Sequence, residues 1–163
     1  MHKVATAQLC ISKTAQNTIF SDIYSRNTIE ACGALLGTID TQGNWLVDTA
    51  HPLRNTFSSP VYFEFDPEDL LAIDLHYPGQ MIGVYHSHPT GFPTASQTDR
   101  DNMRRVNLEQ QIPWIWLIIS GPFVPSQVHS ANKQATRNPM IAYHHYPEGL
   151  QQVNIQLDLQ QEK

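Results

Sequence analysis

Residues 81–102, "MIGVYHSHPTGFPTASQTDRDN", hold a strand, a broken loop and a helix in one short run. "MIGVYHSH" is apolar toward both faces until it ends in two histidines, and Pro89, Gly91 and Pro93 then interrupt any regular element. Side chains two apart on a strand share a face, so His86 and His88 project together while Ser87 points away. "SQTDRDNMRRVN" reads as the next helix, and Asp99 stands early in it, eleven residues after His88, where its carboxylate can reach back toward the strand end. Two imidazoles and a carboxylate are donors that zinc accepts, and three such ligands leave a fourth tetrahedral position open for water. The same residues also have a purely structural reading. A histidine pair on a strand is commonly packing, and Ser96 with Asp99 has the spacing of a capping box. Thr94 and Gln97 form a competing box, and if that one caps the helix, Ser96 and Asp99 lie on one helical face, free for chemistry.

Outward from this unit, turn signals recur at short intervals: "TQGN", "NTFSSP", "HYPGQ", "PTGFPT", "SGPFVPS" and "YPEG". Such spacing predicts one domain, 1–163, with tight connections. Val4–Ile11 reads as a strand, and Ser12 is placed to cap a helix running to about Arg26. "IEACGALLG" is the near-continuous apolar run of a strand covered on both faces. Strands are expected at Trp45–Ala50 and, from the aromatic and β-branched "VYFEF", at Val61–Phe65. Asp66 with Pro67 opens a helix that should end near "HYPG". "WIWLIIS" is a central strand, and two weaker strands follow around Met140–Tyr146 and Val153–Leu159. The fold class is α/β, a sheet with two or three helices.

A chain of 163 residues can bury a core without disulfides or a structural metal. Cys10 and Cys32 form no framework and no C-x-x-C unit, which predicts a reducing compartment and a cytoplasmic protein. The first residues lack a basic leader with an apolar run, and no stretch has the length of a membrane span, so neither export nor a membrane partner is expected. A formal charge of -5 without a basic cluster argues against nucleic acid, whose binding rests on neutralised phosphates.

"HSHPTGFPTASQTD" resembles the His-x-His-Pro, Ser-x-x-Asp signature of the JAMM (MPN-type, JAB-domain) zinc metalloproteases, and "EACGALLG" is similar to the Glu-x-Cys-Gly segment of that family. "FEFDPEDL" and "IGVYHSHP" look like its small prokaryotic branch, so the likeness runs from about Val4 to Ser120. The resemblance implies a cytidine deaminase-like three-layer fold, a curved mixed sheet flanked by helices. It implies one zinc ion per chain on His86, His88 and Asp99. Glu30 would be the general base and Ser96 would steady the oxyanion. More than fifty residues separate Glu30 from His86, and only the family fold brings them together. The implied reaction is hydrolysis of a peptide or isopeptide bond, with a ubiquitin-like or sulfur-carrier protein ending in a Gly-Gly tail as substrate.

Two rivals differ in class. A noncatalytic MPN scaffold would lack the ligands, which are all present. A base deaminase on the similar fold wants His-x-Glu and a later Pro-Cys-x-x-Cys, whereas Ser87 and His88 stand here and the cysteine pair is missing. Cys32, two residues beyond Glu30, reads as a buried inert thiol. His144 and His145, adjacent on a strand, face opposite ways and cannot chelate together, so they read as surface residues. Trp114 and Trp116 read as core. His2, His51, His76 and His129 have no companions at ligand spacing.

Overall fold

The computed structural model describes residues 6–124 and 138–159. Among them seven strands join edge to edge: β1 (Gln8–Ile11), β2 (Cys32–Ile39), β3 (Trp45–Leu53), β4 (Met81–His88), β5 (Ile115–Ser120), β6 (Met140–Tyr146) and β7 (Gly149–Leu157). Their spatial order is β1-β3-β2-β4-β5-β6-β7, and β7 returns to β1, so the sheet closes into a barrel. The mixed α/β character, a sheet with helices, is as expected. Closure depends on β1, whose short length still pairs in parallel with Trp45–Val47 on one edge and Asn154–Leu157 on the other. A strand of four residues carries no periodic sign of a second partner in the last part of the chain.

The described part of the expected Val4–Ile11 strand begins at Gln8; Val4 lies outside the described residues, as do His2 and His129. Helix α1 (Lys13–Ser25) starts where Ser12 was expected to cap it, the Ser12 hydroxyl accepting from the Ala15 N–H at 3.0 Å. Its Ile19, Phe20 and Ile23 enter the main core with Leu9, Leu35, Tyr85 and Leu117. Asp66 caps α2 (Pro67–His76), with Pro67 in its first turn, where a missing N–H costs nothing. Helix α3 (Gln97–Arg104) ends sooner than its sequence suggested, because the chain widens into a π turn over Arg105–Glu109. Among the described residues no helix is long and apolar enough to cross a membrane.

Residues 61–65 do not form the expected strand. The Asn55 side chain, 5 % exposed, takes their backbone groups instead: its amide donates to Tyr62 O at 2.8 Å and its oxygen accepts from Glu64 N at 3.2 Å. A side chain that satisfies the backbone locally competes with a strand ladder, and here it holds the segment as an arch beside the end of β4.

The strands β2 and β4 meet closely. A β-carbon on Gly33 would overlap the Tyr85 ring and the His51 carbonyl, so only glycine lets β2 lie there. The Tyr85 hydroxyl, buried in that contact, donates to Asp22 at 2.6 Å, and Arg26 grips both Asp22 oxygens at 2.7 Å. Arg26 also donates to Leu53 O and Cys32 O. The end of α1 is thereby tied to β2, β3 and β4 on the barrel side opposite the two histidines.

Candidate functional site

At the C-terminal end of β4 the pleat carries His86 and His88 to one face, both buried. Pro89 ends the strand, and Gly91, at φ +90°, turns the chain back with its N–H on the His88 carbonyl at 3.0 Å. That positive φ suits glycine alone. The turn delivers α3, whose first-turn residue Asp99 lies 5 % exposed against the histidines. Glu30, at the entry to β2, completes the group. These four buried side chains each offer a ligand atom, all within 4.8 Å of one another.

The separations are those of donors around a single ion. His86 Nε2 lies 3.2 Å from His88 Nε2 and 3.2 Å from Asp99 Oδ1, and His88 Nε2 lies 3.1 Å from Asp99 Oδ2. Tetrahedral bonds of about 2.0–2.1 Å put donor atoms about 3.3 Å apart. The two imidazole nitrogens thus point into a common space that suits a cation. Glu30 Oε1 stands farther off, 3.8 Å from His86 Nε2, at the rim of the three-residue cluster.

Outer contacts hold the rings in place. His88 Nδ1 meets the Phe92 carbonyl at 2.9 Å, and the Ser120 hydroxyl donates to the same oxygen at 2.9 Å. With its Nδ1 so engaged, His88 keeps Nε2 for a ligand's role, the arrangement that orients metal-binding histidines. His86 is held by packing: Phe63, from the arch after Asn55, stacks on its ring at 4.5 Å and 29°. Its Nδ1 is buried with no partner among the described residues.

Electrostatics follows from burial and proximity. Burial pushes the Glu30 carboxyl up to about 8, despite the lowering by His88, and Asp99 adds to the rise. Burial works against ionised Asp99 too, yet His86 and His88 outweigh it and hold that carboxyl well below the usual range. His88 is raised: burial opposes its charge, but the Asp99 contact and the Phe92 carbonyl prevail. Burial lowers His86, against the pull of Asp99. One carboxylate stays charged while its neighbour is disposed to take up a proton.

Ser96, not Thr94, caps α3. Its hydroxyl accepts from Asp99 N at 3.1 Å, and Asp99 Oδ2 accepts from Ser96 N at 2.9 Å. Asp99 therefore serves the helix end and the cluster together. The Ser96 hydroxyl hydrogen is not used by that bond, so capping leaves it free to donate.

Residues outside the expected set also build the site. Asn55 donates to Glu30 O at 3.1 Å, and Glu30 N donates to Ser59 O at 2.8 Å. "RNTFSSP" does mark a turn, and Phe57 N does bond Asn55 Oδ1 at 3.0 Å as an Asx turn should. Its reach to Glu30 has no local signal. Cys32 is buried, pushed up to about 12 chiefly by burial, and turned toward Leu53 O and Arg54 O. Trp116 is core, while Trp114 and both His144 and His145 are half-buried. His144 bonds Trp114 O and lies tilted against Trp45, and His145 bonds Asn107 and Tyr146 O, so both are partly packed rather than freely exposed.

The model of prokaryotic homologs of the JAB domain matches residues 13–137. The chain belongs to this prokaryotic JAB-domain family. Among curated relatives, it is 40 % identical over 76 residues to a desampylase of Haloferax volcanii, covering 44 % of this chain and 52 % of that protein. It is 33 % identical over 102 residues to a desampylase of Pyrococcus furiosus, covering 60 % of this chain and 64 % of that one. This JAB-domain chain thus matches roughly half to two thirds of the length of those relatives. The tail tip assembly protein K of Escherichia phage lambda is 36 % identical over 55 residues, 34 % of this chain and 24 % of that protein. The fold resembles the solution structure of a protein from Desulfitobacterium hafniense, with a TM-score of 0.68 at 24 % identity, over 95 % of this chain and 96 % of that one.

Proposed function

We propose that this JAB-domain chain is a zinc-dependent hydrolase that cuts a peptide or isopeptide bond after the terminal glycine of a ubiquitin-like or sulfur-carrier protein. The observation that carries the reading is the convergence of Glu30 with His86, His88 and Asp99 in one buried cluster. The similarity to two desampylases supports the substrate class. The whole of 1–163 acts as one domain of the cytidine deaminase-like three-layer kind, a curved mixed sheet flanked by helices, and its free Cys10 and Cys32 suit the cytoplasm.

His86, His88 and Asp99 would hold one zinc ion, with Glu30 beside it. Zinc so held would supply a Lewis acid for a carbonyl and would bring the pKa of a water to about 7. Glu30 takes the proton of the attacking water and passes it to the leaving nitrogen, a task suited to a carboxyl whose pKa lies near neutrality. The Ser96 hydroxyl donates to the oxygen that becomes negative. Phe57, Val61 and Tyr62 on the arch and Phe92 on the loop are exposed, offering apolar contact to a protein substrate on either side of the cluster.

Capping and donation by Ser96 can be separated. Ser96→Gly keeps most of the cap, since glycine there costs only a few tenths of a kcal/mol, but removes the donor. It should lower the rate about 10²–10³-fold with Tm nearly unchanged, as single-turnover assays and melting curves would show. Parent-like turnover would leave Ser96 a cap alone.

The substrate reading is tested with ubiquitin-like fusions bearing Gly-Gly, Gly-Ala, Ala-Ala or Val-Val before the cut, products being weighed by mass spectrometry. Gly-Gly should be cleaved fastest. Equal cleavage of Val-Val would refute tail recognition, and comparable cleavage of unfolded casein would indicate a general protease.

A further inference from the structure

The middle residue of the His-x-His segment faces away from the cluster, yet its side chain bonds the residue next to Glu30. Strands β2 and β4 are antiparallel, with Cys32 opposite His86, so Ala31 and Ser87 are the next pair along the ladder. The Ser87 N–H donates to Ala31 O at 2.9 Å, as the ladder requires. The return bond is different: the Ala31 N–H goes to the Ser87 hydroxyl oxygen at 2.9 Å. The side chain has taken the place of the main-chain carbonyl, so the register ends in a bend at Ala31 rather than in a further regular pair.

That bend is where Glu30 leaves the sheet. The carboxylate lies 3.8 Å from His86 Nε2, beyond hydrogen-bond length, so that contact is not a hydrogen bond and the anchors of its backbone bear on where it stands. Ser59 O and Asn55 hold the Glu30 peptide from the arch, and Ser87 holds the next residue from β4. Ser87, Ala31 and His86 are each 0 % exposed, so water cannot replace the hydroxyl. Ser87 links the residue after Glu30 to the strand that carries both histidines, through covalent neighbours on each side.

We propose that Ser87 is a positioning residue: its hydroxyl, bonded to the Ala31 N–H, sets the Glu30 carboxylate relative to His86 and His88. The inference rests on the assignment of Glu30 as the proton carrier. A shift of about 1 Å in a reacting group can cost about 10²-fold in rate. Ser87→Ala should therefore lower kcat about 10–100-fold with KM held within about twofold, while zinc affinity, measured by competition with a chelating dye, stays that of the parent. In the Glu30→Gln background, adding Ser87→Ala should bring no further loss, because the residue through which it acts is already gone.

A merely structural role would lower Tm and leave kcat of the folded fraction unchanged, or would add its loss to that of Glu30→Gln; either result overturns the proposal. The clamp is also read without turnover. Freeing a buried N–H from its partner should speed hydrogen exchange at the Ala31 amide on the order of 10-fold or more, and unchanged exchange would sink the idea. Should Ser87→Ala not fold, Ser87→Cys, of nearly the same shape but a weak acceptor, is carried through the same measurements. A parent enzyme inert toward every fusion would defeat the proposed activity, and amide exchange would still judge the clamp.

Discussion

Glu30→Gln is expected to lower turnover about 10²–10⁴-fold, the range supplied by a positioned acid–base group, with metal content equal to the parent's. The amide has nearly the shape of the carboxyl but cannot accept a water's proton. Burial within the fold would be easier for the neutral side chain, and this yields a second signature in protein stripped of metal. The folded pKa of Glu30 is raised from 4.5 to about 8, so between those values the folded state binds more protons than the unfolded state. Its contribution to stability is full below the lower value and is lost as pH rises through the upper one. Melting curves of the metal-free parent should accordingly fall in Tm across that window more steeply than those of metal-free Glu30→Gln. Parallel curves would show that the fold does not raise the Glu30 carboxyl, and turnover within a few fold of the parent would place the proton carrier elsewhere.

His88→Ala and Asp99→Asn should each empty the site. The parent is expected to hold about one zinc per chain on three protein ligands, and losing one should weaken binding by more than the about 10–100-fold that an outer partner is worth. Elemental analysis after dialysis against a chelator would show metal near zero in both variants and cleavage gone with it. Asp99→Asn should also lower Tm, because the charged oxygen that accepts from Ser96 N at the start of α3 is replaced by a neutral, weaker acceptor. His88→Ala differs there: it leaves that cap intact and instead strands the buried Asp99 charge beside a cavity. Full metal retention in both variants would sink the ligand assignment.

Local rules made much of the molecule legible. Period-two alternation placed His86 and His88 on one face of β4, whose bounds, Met81–His88, coincide with the apolar run that ends at Pro89. Ser12 and Asp66 capped α1 and α2 as their types and positions demanded, and Met140–Tyr146 formed a strand where one was expected. In these cases the deciding interactions lie within a few residues, between a side chain and its own backbone or between neighbours on a pleat.

The remainder depended on partners distant in the chain. "VYFEF" has strand-forming residues, but Asn55 supplied its backbone with other partners, and a tertiary bond overrode propensity. Barrel closure required β1 to find β7, a pairing that no local pattern encodes. The Thr94–Gln97 and Ser96–Asp99 boxes were equivalent by spacing. The second formed because it lets Asp99 bond Ser96 N and also stand 3.1 Å from His88 Nε2. Sequence alone determined the donor types, their shared face and their likeness to a hydrolase family. Tertiary structure alone decided that Glu30 reaches them, because β2 and β4 lie side by side in a register where Ala31 meets Ser87. A local rule cannot see that contact, since its energy comes from burying two strands against each other, and that burial exists only once the barrel has formed.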